Sequence, residues 1–548
     1  MNFKRKLWWA QHRTDVYKYS TFILLFLIVT ISIIYFTYSK FSSTNEMTMY
    51  ETTVDSFIKN DYFIASYIDG EWSNEIPGKN DGYIVDKIVC DNGATGTWDY
   101  NNWRIYIDNA TKKTKCSLFF VTGSLIDVEL YQGLIPVTYN SSGDVVVADT
   151  NTKWYDYSNH EWANAVLVNC ADSAIKSKYF NDDMSLKPSV VGQTISMDEI
   201  LQMYVYIPRY RYKLFNAENR TSVEQAIEIE FEPKNTTKSN GSRDGEWLTH
   251  PAFTFGNTEL PGIWVGKFEA SGTTDNYQIK PNQKSLTNIN LSIMFNTSRY
   301  VTTTKTSIYG TNSSTSDSHV MKNMEWGAIA FLTNSIYGRY NDASTCIASG
   351  CEVWINNINT GYGNGTAVSG QPQWGPSITG CAGSSASAGA SNSQTACASG
   401  YDWKTKGVNA STTGNQYGIY DMSGGAWEYV MGVQKDSSGN VQVESSGFST
   451  SSLPDSKYYD LYDYQAEDGV GYTRYHLGDA IREVLKNTSS QGNNAWWSDY
   501  SYNIYSSVPW VARGGYSGDT SVAGVFYFHH AYGGISFSGS FRSILTAN

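Results

Sequence analysis

Gly418-Ile419-Tyr420-Asp421-Met422-Ser423-Gly424-Gly425-Ala426-Trp427-Glu428-Tyr429-Val430 is the stretch that decides how this chain reads. Two more stretches follow it, Trp510-Val511-Ala512-Arg513-Gly514-Gly515 and Ser540-Phe541-Arg542-Ser543-Ile544-Leu545. Trp427 reads as a core anchor. Arg513 and Arg542 read as buried or half-buried guanidiniums, which need loop carbonyls or a carboxylate such as Glu428 as partners. Between the last two stretches, Tyr516 to Ser540 is rich in Tyr, Phe, His, Ser, Gly and Asp. Rigid aromatic anchors among small adaptable residues are the palette of binding loops. The candidate contact residues are Tyr516, Ser517, Asp519, Tyr527, His529, His530, Tyr532, Ser536 and Phe537. Val525, Phe526 and Ile544 read as core.

The start of the chain has a different character. Residues 22–38 are apolar and uncharged, at the short end of the ~17–25 residues that span a bilayer as a helix. Lys4, Arg5, Lys6, Arg13 and Lys18 precede this run. The positive-inside rule therefore puts 1–20 in the cytoplasm, a membrane helix at 21–38, and everything later outside a cell membrane crossed once. No small-residue cleavage site follows the run, which argues against a cleaved signal peptide. The chain of 548 residues allows three or four domains. A net charge of −12 gives no electrostatic support to nucleic-acid binding. With 41 Tyr and 17 Trp, aromatics reach 15%, which suits binding surfaces and short strands alike.

Seven cysteines all lie after the apolar run. In an oxidising exterior they favour disulfides. The expected pairs are Cys90 with Cys116, Cys346 with Cys351, and Cys381 with Cys397, although spacing alone does not fix connectivity. Cys170 is left as a buried free thiol. No C-x-x-C occurs, so zinc ribbons are poorly supported.

Residues 39–61 read as a polar stalk and 62–121 as a small all-β module. Its strand-like runs are 62–68, 83–89, 103–107 and 116–121, punctuated by Asp-Gly and Asn-Gly turns. Residues 122–195 read as a second β-rich module, with a hairpin turn at Asn140-Ser141-Ser142-Gly143. Ser196 and Glu199 form a capping-box pattern that predicts a short helix. The large domain is taken as 196–548. Apolar spacing predicts helices over 318–334 and 477–486.

The three C-terminal stretches resemble the core signature of the formylglycine-generating-enzyme (sulfatase-modifying factor) family, a branch of the C-type-lectin-like fold. That signature reads roughly G-L-Y-D-M-x-G-N-x-W-E-W, then R-G-G-S, then G-F-R. Asp421, Trp427, Glu428, Arg513, Gly514, Gly515, Phe541 and Arg542 carry the match. Met203 to Tyr210, Trp264 to Glu269 and Met324-Glu325-Trp326 resemble the family's first two strands and its helix motif. The resemblance implies an α+β, C-type-lectin-like C-terminal domain, preceded here by small all-β modules and one N-terminal transmembrane helix.

The family's oxidase needs reactive, copper-binding cysteines between R-G-G and G-F-R. This chain has no Cys after Cys397, so the thiol chemistry is absent and an enzyme is not expected. His529-His530 is the one adjacent histidine pair, and neighbours on a regular strand face opposite sides. The family's loop around Glu428 binds a structural calcium, which oxygen ligands suit. Gly425 stands where the family usually has Asn, removing one ligand oxygen. No other cofactor is expected. The 516–540 tract also resembles the diversified stretch of the variable proteins of diversity-generating retroelements. The expected function is display of a non-catalytic, lectin-like recognition domain on a bacterial surface, with an external protein or glycan as partner. The alternatives are an enzyme acting on envelope glycan or protein through the same pocket, and a structural envelope or prophage-encoded protein with no specific ligand.

Overall fold

Strand accounts for 31% and helix for 13% of this computed structural model. It describes residues 62–548 except 69–70, 74–75, 77–82, 100–102, 112–113, 123–125, 360–361, 364–365, 368–374, 389–396 and 398–400. The fold is therefore mainly β, and the α+β expectation is corrected. The expected stalk and the apolar run at 21–38 lie outside the described residues. Among the described residues no helix is long and apolar enough to cross a membrane. The single-pass membrane location, with its membrane helix, is therefore set aside as unsupported.

The chain divides into two units, with the boundary after Ser124. In the first, the strands are β1 (Tyr62–Ile68), β2 (Glu71–Trp72), β3 (Tyr83–Cys90), β4 (Thr95–Asp99), β5 (Arg104–Asp108) and β6 (Lys115–Thr122). They form an antiparallel sheet in the order β2-β1-β6-β3, with β4 and β5 as a separate hairpin. The period of two decides the faces. Cys116, Leu118 and Phe120 point into the core, while Lys115, Ser117 and Phe119 are half-exposed. Trp98 packs at the centre, edge-on to Phe120 at 5.4 Å and to Trp103 at 5.1 Å. Cys90 and Cys116 face each other across β3 and β6 and are disulfide-bonded.

In the second unit the strands of the two large sheets are β7 (Ile135–Tyr139), β8 (Val145–Val147), β9 (Asn164–Val168), β10 (Ile200–Pro208), β11 (Gly262–Gly266), β12 (Ser316–Val320), β13 (Trp427–Gln434), β14 (Asp460–Tyr462), β15 (Gly492–Asn493), β16 (Tyr500–Ser501), β17 (Trp510–Gly514), β18 (Gly524–Ala531), β19 (Gly539–Phe541) and β20 (Ser543–Ala547), and shorter strands form small sheets besides. Helices α1 (Leu291–Arg299) and α2 (Asn323–Thr333) pack against them. Among the described residues there are two sheets of seven strands. One runs β12-β20-β11-β10-β9-β7-β8. The other runs β14-β13-β17-β18-β16-β15, with β19 beside β13.

Residues 122–195, read above as a module of their own, supply β7, β8 and β9 to the same sheet as β10. The reason is visible in β10. Its sequence ILQMYVYIP is buried at every position, so it needs a strand on each side. β9 takes one edge and β11 the other.

The expected helix at 318–334 begins later. Residues 316–320 are strand β12, and the helix starts at Asn323. Glu325 accepts the Lys322 amide at 2.7 Å and Asp460 accepts that of Met324 at 2.7 Å, which caps its first turn. α2 is buried all round. A Cβ on Gly327 would lie 1.9 Å from the Gly478 carbonyl, so only glycine lets the two backbones meet. The helix predicted over 477–486 is a set of turns with one 3-10 turn at Arg482–Val484. Its would-be helical Glu483 instead reaches back to the Gly478 amide at 2.7 Å and to Tyr212 Oη at 2.7 Å. At Ser196 the capping contact forms, with Glu199 accepting the Ser196 amide at 3.2 Å, but the chain enters β10 directly. The other two cystine pairs, Cys346–Cys351 and Cys381–Cys397, are bonded as expected, and Cys170 is free and buried.

Candidate functional site

The three signature stretches meet in one seam. β13 pairs antiparallel with β17, setting Glu428 opposite Arg513, and parallel with β19, setting Trp427 opposite Gly539 and Tyr429 opposite Phe541. Arg542 follows β19 and points back. Its Nε donates to Glu428 Oε2 at 3.1 Å, its Nη2 to Glu428 Oε1, and its remaining donors to the carbonyls of Gly266 (2.7 Å) and Tyr420 (2.9 Å). The carboxylate offered above to calcium is thus bonded through both oxygens to a guanidinium. Among the described residues no three His, Cys, Asp or Glu side chains are grouped to hold a metal ion.

Two more carboxylates share this seam. Asp421 accepts from Asn356 at 2.8 Å and from the Gly380 amide at 2.9 Å. Glu269 accepts from the Ala426 amide at 2.8 Å. Burial, then the charges of Asp421 and Glu428, push the Glu269 carboxyl well above the usual range. Burial also raises Glu428, to about 7, against the pull of Arg542. All four side chains are at most 1% exposed, so this is an internal brace. Arg513 is buried too. It donates to the carbonyls of Asp479 and Ala480 and to Asn323, and stacks over Trp326 at 5.6 Å. Gly514 and Gly515 have φ of 82° and 71°, which is why glycines follow this arginine.

The 516–540 tract splits. Ser517 is buried and accepts from Asn359 at 3.2 Å. Asp519 accepts the Tyr516 amide at 3.0 Å, and burial raises its carboxyl to about 6. Tyr516, Ser536 and Phe537 are half-buried, and Tyr532 is 60% exposed beside Ile535 at 65%. Val525, Phe526 and Ile544 are buried, as expected.

Tyr527, His529 and His530 on β18 belong to a larger aromatic row. Tyr500 and His529 stack at 6.0 Å and 28°, and Tyr502 and His529 at 5.6 Å and 23°. Tyr527 is buried and lies 6.0 Å from Tyr500. His530 contacts Tyr502 at 4.4 Å and Tyr505 at 5.2 Å. The two imidazoles lie side by side at 4.4 Å although they are neighbours on a strand. Trp427, read as a core anchor, is half-buried and closes the row against His529 at 6.2 Å. Tyr500, Tyr502, Tyr505, His529 and His530 are all half-buried, so the row reaches the surface.

Tyr500, Tyr502 and Tyr505 were absent from the candidate residues. Their signal was local: Tyr500-Ser501-Tyr502 alternates with period two, and Ser501 is the buried member. The electrostatics are quiet. Burial, then the neighbouring His530, lowers the His529 imidazole to about 4, and burial lowers His530. His529 Nδ1 faces the His530 carbonyl and His530 Nδ1 the Asn503 carbonyl at 3.1 Å. As neutral imidazoles both donate from Nδ1 and keep Nε2 as an acceptor. Tyr502 Oη donates to Asp468. At neutral pH the row offers ring edges, hydroxyls and imidazole nitrogens.

No family model matches this chain, and no curated protein matches it.

Proposed function

We propose that residues 125–548 are a non-catalytic recognition unit, related to the formylglycine-generating family, whose contact face is the row Tyr500, Tyr502, Tyr505, His529 and His530. The observation that carries this is the row itself: half-exposed, uncharged rings in mutual contact, with Tyr500 and Tyr502 stacked on His529 and with Tyr505 and His530 edge-on or tilted beside them. Such rings supply large contact area with few rotors to freeze. The partner is a macromolecule, polypeptide or glycan, met through stacking and hydrogen bonds. The kinship rests on the signature residues of the sequence alone.

The test is binding by the full chain to immobilised peptide and glycan panels, repeated with Tyr500→Ala, Tyr502→Ala and His529→Ala combined. Hot-spot aromatics are worth about 2–4 kcal/mol each, so the triple variant is expected to lose binding by about 100-fold or more. Unchanged binding by a folded triple variant would remove this face. Tyr527 is left intact because its ring is part of the core.

A further inference from the structure

A cavity of about 620 Å³ lies at the start of α2, apart from the aromatic row. Phe255, Thr258, Lys322, Lys457, Asp455 and Asp460 are among its lining residues. Two ammonium groups converge on one ring there: Lys457 Nζ lies 4.5 Å and Lys322 Nζ 5.8 Å from the centroid of Phe255. His319 stacks on the same ring at 4.9 Å, and Tyr458 meets it edge-on at 5.5 Å.

The charges behind the cavity are already in use. Asp317 accepts from Arg299 at 2.6 Å and Tyr458 Oη at 2.6 Å, and contacts His319 at 3.3 Å. Glu325 contacts His319 at 3.1 Å and accepts the Lys322 amide. The two lysines get only what is left. Lys457 Nζ donates to Asp317 at 3.5 Å, the long limit of a hydrogen bond, and Lys322 Nζ stands 4.0 Å from Glu325, beyond that range. The Lys322 side chain is 8% exposed, and what it exposes faces this cavity.

We propose that this cavity binds a small carboxylate ligand carrying hydroxyl groups, of the hexuronate type. Its carboxylate sits between Lys322 and Lys457. Asp455, Asp460 and Thr258 line the same space and suit the hydroxyls. A phosphate would meet these two carboxylates as like charges, which favours the hydroxyl-bearing carboxylate.

Titration calorimetry of the full chain with glucuronate, glucose and inorganic phosphate tests this. Glucuronate is expected to bind at least about tenfold tighter than the other two, because charge-assisted bonds to the ammoniums are at stake. Lys322→Met and Lys457→Met are each expected to weaken glucuronate about tenfold, and Lys457→Arg to keep it. Lys457 is 25% exposed, so its variant reads out binding even where Lys322→Met fails to fold. Equal affinity for glucose or phosphate, no glucuronate binding, or an unchanged affinity in Lys457→Met would overturn the proposal.

Discussion

The seam around β13 and the aromatic row on β16 and β18 lie in one sheet and have opposite characters. The seam is central, and its Glu428, Asp421, Glu269 and Arg542 are sealed from water. The row lies where the sheet ends in the two-residue strands β15 and β16, and its rings stay half-exposed. A charge survives inside only where another charge or amide answers it, so the seam admits almost no substitution. Rings at an edge satisfy their few polar atoms singly, so the row tolerates change. One sheet thus holds a fixed frame and a permissive face.

Breaking the frame should have the largest effect. Arg542→Met leaves Glu428 buried without its partner, with Asp421 and Glu269 beside it. Removing one member of a buried ion pair costs about 3–5 kcal/mol. Urea denaturation should show that loss. The double variant Glu428→Gln with Arg542→Met should lose less than the sum of the single changes, since the two share one interaction. Additive losses, or a loss below about 1 kcal/mol for Arg542→Met, would mean the seam is not a brace.

Gly425 sharpens the same point. Its φ is 71°, which Asn tolerates, but a Cβ there would lie 2.2 Å from Glu269 Oε1. Placing Asn there should therefore destabilise this chain by about 1–3 kcal/mol, the usual cost of overpacking. A neutral or stabilising Gly425→Asn, by thermal melt, would show that Glu269 moves aside freely.

Glu483 supplies a pH test on the buried side of the comparison. Burial raises its carboxyl to about 8, while the Gly478 amide and Tyr212 pull it back down. A raised folded value means that the fold prefers the protonated acid. The stability tied to this group is complete below the ordinary carboxylate range and is lost as pH rises through about 8. Glu483→Gln keeps a neutral side chain of the same shape. It should flatten the decline in urea midpoint between about pH 5 and 8 and gain stability at the upper end. An identical slope in both proteins would assign the pH dependence elsewhere.

Much of this was legible in the sequence. Four of the six strands of the first unit follow from apolar runs between turn dipeptides, and β2 and β4 are not among them. Arg542 could be matched to Glu428 because a buried guanidinium needs a carboxylate. Of the three helices expected, the one over 318–334 forms from Asn323 to Thr333, and those after Ser196 and over 477–486 do not form. At 477–486, Gly478 and Ala480 take φ of 95° and 53°, which no helix accepts, and Glu483 is spent on tertiary bonds. At 318–320 the chain pairs with β20, a partner more than 200 residues away that no local window contains. The row was half-found for the same reason: His529 lies on the tract examined for its composition, whereas Tyr500 and Tyr502 join it only through the β16–β18 pairing.

The smallest predicted effect on stability is also the best separator of frame from face. Tyr532 is 60% exposed, so Tyr532→Ser should leave the urea midpoint within about 0.5 kcal/mol of the parent. It lies one residue beyond β18, next in sequence to the strand that carries His529 and His530. If that face meets a partner, the same variant should weaken binding to it by about fivefold or more while the fold is untouched. A loss of stability comparable to Arg542→Met would mean that Tyr532 belongs to the frame, and the division of the sheet drawn above would fail at its outermost residue.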